Sequence, residues 1–149
     1  MSSTIEVYNP MSAFNSAINK LEKNGIRATK QRRVLAKLIF DKGKRHISAD
    51  NLFDEVKKDE RKISMATIYN TLKQFTNLGL IREIVVDQNK SLYCNNNQSH
   101  YHLYIEDEGK VIDIPTQNID LDIPSIPACL KLHDIDVIVR VRTLKDKNS

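Results

Sequence analysis

The chain has 149 residues, 40% of them hydrophobic, with a net charge of +4. That is enough for one ordinary domain or two small ones; it excludes a disordered chain, and the lack of a bilayer-length apolar run or of a leader in residues 1–10 predicts a soluble cytoplasmic protein. The charge is uneven: residues 1–95 carry 17 Lys and Arg against 10 Asp and Glu, net +7, and residues 96–149 carry 6 against 9, net −3. A basic half suits a polyanion such as nucleic acid, and an acidic half with histidines suits cations; an uneven but merely solvated surface is the alternative. Cys94 and Cys129 stand alone. Neither a disulfide framework nor a cysteine zinc site is expected of them.

Residues 12–24 read as a helix. Ala13, Phe14, Ala17, Ile18 and Leu21 recur at helical spacing, and Asn24-Gly25 is a stop signal. Residues 29–41 read as a second helix, with Thr29 as N-cap, an apolar face of Val34, Leu35, Leu38 and Ile39, and an outer face of Lys30, Arg32, Arg33 and Lys37. Residues 48–58 give a third, capped by Ser48 and packed through Leu52, Phe53 and Val56. Residues 64–77 give a fourth, capped by Ser64 and ended by Gly79, with Met65, Ile68, Leu72 and Phe75 as its buried stripe. Its opposite face shows Thr67, Tyr69, Asn70 and Lys73, a small polar and aromatic set suited to base edges and phosphates. The competing reading is an ordinary solvated helix face with Tyr69 at the edge of the core.

Residues 80–86 and 91–94 read as strands around a turn at 87–90. Helices followed by such a hairpin make a winged helix, whose fourth helix would enter the major groove. The apolar-free run at 95–99 is the linker candidate. Beyond it the period changes to two. Residues 101–105 and 110–114 pair around Glu106-Asp107-Glu108-Gly109, and Pro115, Pro124 and Pro127 leave room for a short helix at most. Residues 134–142 alternate as a third strand. Three strands with so little cover make a poor independent core, so a homodimer is expected. The expectation is therefore an α+β chain: a winged-helix DNA-binding domain at 1–95 with its wing at about 80–95, a hinge at 96–99, a small α/β dimerisation and sensing domain at 100–142, and a flexible tail at 143–149.

His100 and His102 are two residues apart on a strand, so both side chains face one way. Two imidazoles on one face can chelate one metal or offer axial ligands to a haem. The bland reading is a pair of polar residues on an exposed strand. A metal-dependent hydrolase is a remote alternative, since such a pair with nearby acids can hold a catalytic metal. No nucleophile and base stand near it in sequence, and the basic half would be unexplained. The chain is not expected to be an enzyme.

Four stretches together resemble the ferric uptake regulator (Fur) superfamily. They are Gly25-Ile26-Arg27-Ala28-Thr29-Lys30-Gln31-Arg32, His46-Ile47-Ser48-Ala49, Ala66-Thr67-Ile68-Tyr69-Asn70-Thr71-Leu72 and Gly109-Lys110-Val111-Ile112-Asp113. Within it the chain looks most like the iron response regulator (Irr) branch, through the run from Phe75 to Glu83, His100-x-His102, Ile112-Asp113-Ile114-Pro115 and the run from Asp136 to Arg142. A peroxide-sensing, PerR-like repressor is the second choice. The resemblance implies a homodimeric regulator of iron or haem homeostasis that binds double-stranded, AT-rich inverted repeats. It places Tyr69 on thymine, Arg27 near the minor groove, and Thr29 and Arg32 near phosphates. It makes His46, His100, His102 and Asp113 ligands of a regulatory iron, manganese or zinc, or places haem nearby. Ile105 and Glu108 stand where the family carries a cysteine pair, so no four-cysteine structural zinc is expected. Cys94 stands where a carboxylate ligand is usual and would soften the site; as a lone cysteine it also reads as a small buried hydrophobe. A second site is only partly matched, by Asp120, with Tyr101 and Asp136 where ligands are common.

Overall fold

The computed structural model describes residues 9–145. The chain divides into two units between Asn97 and Gln98. Among the described residues the first unit holds four helices, α1 (Pro10–Lys23), α2 (Lys30–Phe40), α3 (Ala49–Lys58) and α4 (Met65–Asn77), and three strands, β1 (His46–Ile47), β2 (Arg82–Asp87) and β3 (Lys90–Cys94). These strands form one antiparallel sheet in the order β1-β3-β2. Ala17, Leu21, Leu35, Ile39, Leu52, Val56, Ile68, Leu72 and Phe75 interlock in one core with Ile47 and Tyr93 of the sheet. The apolar stripes expected on each helix are the ones buried.

Side-chain caps set the helix starts. Thr29, Ser48 and Ser64 accept the N–H of Arg32, Asn51 and Thr67 at 3.2, 3.1 and 3.2 Å, satisfying donors a helix leaves orphaned. Three helix ends share one device. After α1, the Gly25 N–H donates to Glu22 and the Ile26 N–H to Leu21; after α4, the Gly79 N–H donates to Thr76 and the Leu80 N–H to Phe75. Both glycines have φ near +70°, which a Cβ would oppose. After α3 the same bonds form from Glu60 to Lys57 and from Arg61 to Val56, with Glu60 at φ 55°. Glu60 therefore stands in a backbone region that costs a non-glycine residue of order 1 kcal/mol.

The second unit has three strands, β4 (His100–Ile105), β5 (Lys110–Pro115) and β6 (Ile138–Val141), in the order β5-β4-β6, with β4 antiparallel to β5 and parallel to β6. The α+β class stands, but the only helical turn in this unit, among the described residues, is a 3-10 turn at Thr116–Asn118. The strand expected over 134–142 shrinks to β6: Asp134 takes the Ile135 N–H on its own carboxylate at 2.8 Å, which competes with strand pairing. Leu121, Ile123, Ile126, Leu130 and Leu132 are exposed. Of the tail expected at 143–149, Thr143 is tied down, its N–H to Asp107 at 2.9 Å and its hydroxyl to Glu108 at 3.2 Å, while residues 146–149 lie outside the described residues. No helix among the described residues is long and apolar enough to cross a membrane.

Glu55 of α3 receives Arg45 at 2.9 Å and Lys42 at 3.0 Å, both from the connection between α2 and β1. Burial pushes the Glu55 carboxyl up, but hydrogen bonds from Arg45 and Lys42 and their charges outweigh it and hold it below the usual carboxylate range. A lowered folded-state pKa means the contribution is present above the unfolded pKa and is lost as pH falls through the folded value. Glu55→Gln is expected to cost about 1–2 kcal/mol at neutral pH, with the gap to wild type closing below the ordinary carboxylate range. Urea melts of both proteins across that range check it.

Candidate metal and nucleic-acid sites

In the second unit, β4 alternates strictly, with His100, His102 and Tyr104 on its buried face. The two-residue spacing thus puts both imidazoles on one side, now known to be the inner one, at 6% and 3% exposure. Register does the rest: Asp113 of β5 lies directly opposite His102. His100 Nε2 and His102 Nε2 are 2.8 Å apart, and Asp113 Oδ1 is 3.3 Å from the first and 3.5 Å from the second. The rings meet edge to face at 81°. His100 Nδ1 contacts the Gln98 carbonyl oxygen. A carbonyl only accepts, so Nδ1 carries the proton and Nε2 of the neutral ring carries a lone pair. A second-sphere bond of this kind fixes the tautomer and aim of a metal-binding histidine. Two nitrogens and a carboxylate oxygen converge on a point that a proton or a cation must occupy.

In the first unit, β1 sets His46 directly opposite Cys94 of β3. Their ligating atoms lie within 4.8 Å of one another. Cys94 is buried, at 1% exposure, and His46 is half-buried. Each unit thus presents a set of donors: imidazole and thiol in one, two imidazoles and a carboxylate in the other. Imidazole suits first-row divalent metals, the carboxylate broadens the choice, and the thiol tilts it toward zinc or iron. The donor chemistry fits a bound transition-metal ion. Asp120 and Asp136 are exposed and, among the described residues, join no cluster of three or more ligating side chains.

Sequence reading placed seven residues at a nucleic-acid surface. Arg27, Tyr69, Asn70 and Lys73 are exposed, Tyr69 at 51%. The other three have structural work. The Thr29 hydroxyl caps α2, and Thr67 contacts the Ser64 hydroxyl at 2.9 Å within the α4 cap. Arg32 donates from Nε to Gln74 Oε1 at 3.1 Å and from its guanidinium to the Arg27 carbonyl at 2.6 Å. One side chain therefore ties α2 to α4 and fixes the loop that carries Arg27. Burial pushes the Tyr93 phenol up, with Glu83 and Tyr69 adding to it. Sequence reasoning missed β1, since a two-residue strand shows no period, and it gave Asn95, last of the expected first domain and first of the apolar-free run, no structural role. Asn95 is buried and hydrogen-bonded within the first unit.

Residues 23–140 match the family model described as the ferric uptake regulator family. The chain is 32% identical over 107 residues, 72% of each protein, to a peroxide-responsive repressor, PerR, of Staphylococcus saprophyticus. A zinc-bound manganese uptake regulator superposes with a TM-score of 0.58 at 27% identity, covering 86% of this chain and 98% of that one. The ferric uptake regulator of Helicobacter pylori superposes with a TM-score of 0.67 over 95% of this chain and 97% of that one; at 17% identity it speaks for the fold alone.

Nitrogen-15 NMR on the metal-free protein is expected to show neutral His100 protonated on Nδ1. A proton on Nε2 instead contradicts the geometry at Gln98.

Proposed function

The chain belongs to the ferric uptake regulator family, and from that premise we propose that it is a homodimeric transcriptional regulator whose grip on an AT-rich inverted repeat is set by a divalent metal ion. The observation that carries this is the convergence of His100 Nε2, His102 Nε2 and Asp113 Oδ1 within 3.5 Å. His46 and Cys94 complete the ligand set in this reading. The ion, when bound, supplies the positive charge that such donors need. Residues 1–95 hold the reading head and residues 100–142 the dimerisation part, joined by a hinge at 96–99. Because the ligands come from both, occupancy would restrict how the heads can be presented to DNA, a shift of population rather than a chemical step. Tyr69, Asn70 and Lys73 read the major groove from α4, and Arg27 contacts the backbone or minor groove beside it. In this reading Thr29, Arg32 and Thr67 contact the DNA while also holding the helix ends. The exposed apolar side chains at 121–132 support pairing with a second copy.

Two readings of the signal are carried. Regulation of iron or haem homeostasis, in the manner of the iron response regulator branch, is supported by Ile105 and Glu108 where a cysteine pair is usual. The burial of both histidine rings, with their Nε2 atoms 2.8 Å apart, favours a bare ion over haem at this spot. Peroxide sensing is supported by the likeness to the staphylococcal peroxide-responsive repressors, 32% and 30% identical.

Fluorescence anisotropy on an AT-rich palindrome tests the proposal. Metal-dependent, salt-sensitive binding at roughly sub-micromolar Kd is expected. Tyr69→Ala should weaken it about 10-fold or more, the cost of a good base contact. Titrating ferrous iron, manganese, zinc and haem identifies the effector, and the His100→Ala/His102→Ala protein should respond to none. A double variant that responds like wild type would falsify the metal assignment. Dilute peroxide added to the iron-loaded complex separates the two signals: release of DNA, with one added oxygen on the His46 or His100 peptide, supports peroxide sensing.

A further inference from the structure

We propose that Asn95 is a positioning residue for the His46–Cys94 pair, holding the backbone on both sides so that imidazole and thiol are presented together before any ion arrives. This rests on the reading that His46 and Cys94 are ligands. The connection from α2 to β1 has no regular structure between Gly43 and Arg45, yet it delivers His46 opposite Cys94. Asn95, one residue past Cys94 and 4% exposed, spans that connection. Its Oδ1 accepts the Arg45 N–H at 2.8 Å. Its Nδ2 donates to the Ile39 carbonyl at 2.7 Å and to the Gly43 carbonyl at 2.8 Å. Its own N–H donates to the Arg45 carbonyl at 3.3 Å.

The carboxamide orientation is fixed by its partners. Two carbonyls require a donor and one N–H requires an acceptor, so only an amide with Nδ2 toward Ile39 and Gly43 satisfies all three. Arg45 is braced from the other side, its guanidinium bonded to Glu55 at 2.9 Å and to the Leu38 carbonyl at 3.1 Å. Residues Arg45 and Asn95 are thus locked to each other through both backbone and side chain, and His46 and Cys94 are their immediate neighbours in sequence. Nothing in that lock touches an ion. Its effect on binding is the removal of backbone freedom that ligation would otherwise have to freeze.

Cobalt titration of the full chain tests this, because a thiolate ligand gives cobalt(II) a near-ultraviolet charge-transfer band. Wild type should show the band, and Cys94→Ser should lose it. Asn95→Asp keeps the shape and the acceptor but turns a carboxylate oxygen on two carbonyls; Asn95→Ala removes the bridge. Both should bind cobalt about 10- to 100-fold more weakly, the usual effect of losing a partner behind the ligands, with a weakened band. Val56→Ala, a core change away from the pair, should match their loss of Tm yet keep the affinity and the band. Wild-type affinity and spectrum in folded Asn95 variants overturn the proposal. So does unfolding of both variants where Val56→Ala stays folded, which makes Asn95 structural only. A wild type without the band overturns the ligand reading and this inference with it.

Discussion

The second unit is organised by a repulsion. His100 Nε2, His102 Nε2 and Asp113 Oδ1 sit within 3.5 Å of one another on a largely buried face. Electron pairs that close are tolerable only with a proton or a cation among them. Between two neutral rings, one Nε2–H donated from one imidazole to the other answers the need. In the proposed function a divalent ion would take that proton's place. The arrangement follows from two properties of any sheet: alternation puts His100 and His102 on one face of β4, and antiparallel register brings Asp113 beside them. The Gln98 carbonyl then fixes which nitrogen of His100 is available.

The first unit answers with stiffness. The face proposed to read DNA lies on α4, whose start is capped by Ser64 and whose body is tied to α2 through Arg32 and Gln74. Its donors, His46 and Cys94, sit across one rung of the small sheet, with Asn95, Arg45 and Glu55 locked beside them. Groups built on regular elements and held by a supporting shell keep their aim. Glu60 is a left-handed residue after α3, where α1 and α4 are followed by glycine.

Much of this was legible in the sequence, and the parts that were not have physical reasons. Helix faces and the caps at Thr29, Ser48 and Ser64 are local, so spacing and residue type reveal them. The same holds for His100 and His102, whose common face is a property of a strand. His46, Cys94 and Asp113 are brought to their places by pairing between distant segments, which no local period encodes; only the family resemblance pointed to them. The burial of Asn95, which opens the polar run at 95–99 and ends the expected first domain, was hidden for a related reason: a polar residue among polar residues looks solvated, while its buried partners at Ile39, Gly43 and Arg45 are about fifty residues away. Residues 134–137 alternate like a strand but give their first N–H to the Asp134 side chain.

The proposal that His46, Cys94, His100, His102 and Asp113 are ligands of one ion is the one on which the proposed regulation turns. X-ray absorption at the cobalt or zinc edge of the loaded full chain tests it most directly. The account predicts three imidazoles, oxygen from a carboxylate, and a single sulfur at about 2.3 Å, with His46→Ala removing one imidazole and Cys94→Ser removing the sulfur. A spectrum with two imidazoles, no sulfur, and no change in either variant would contradict it.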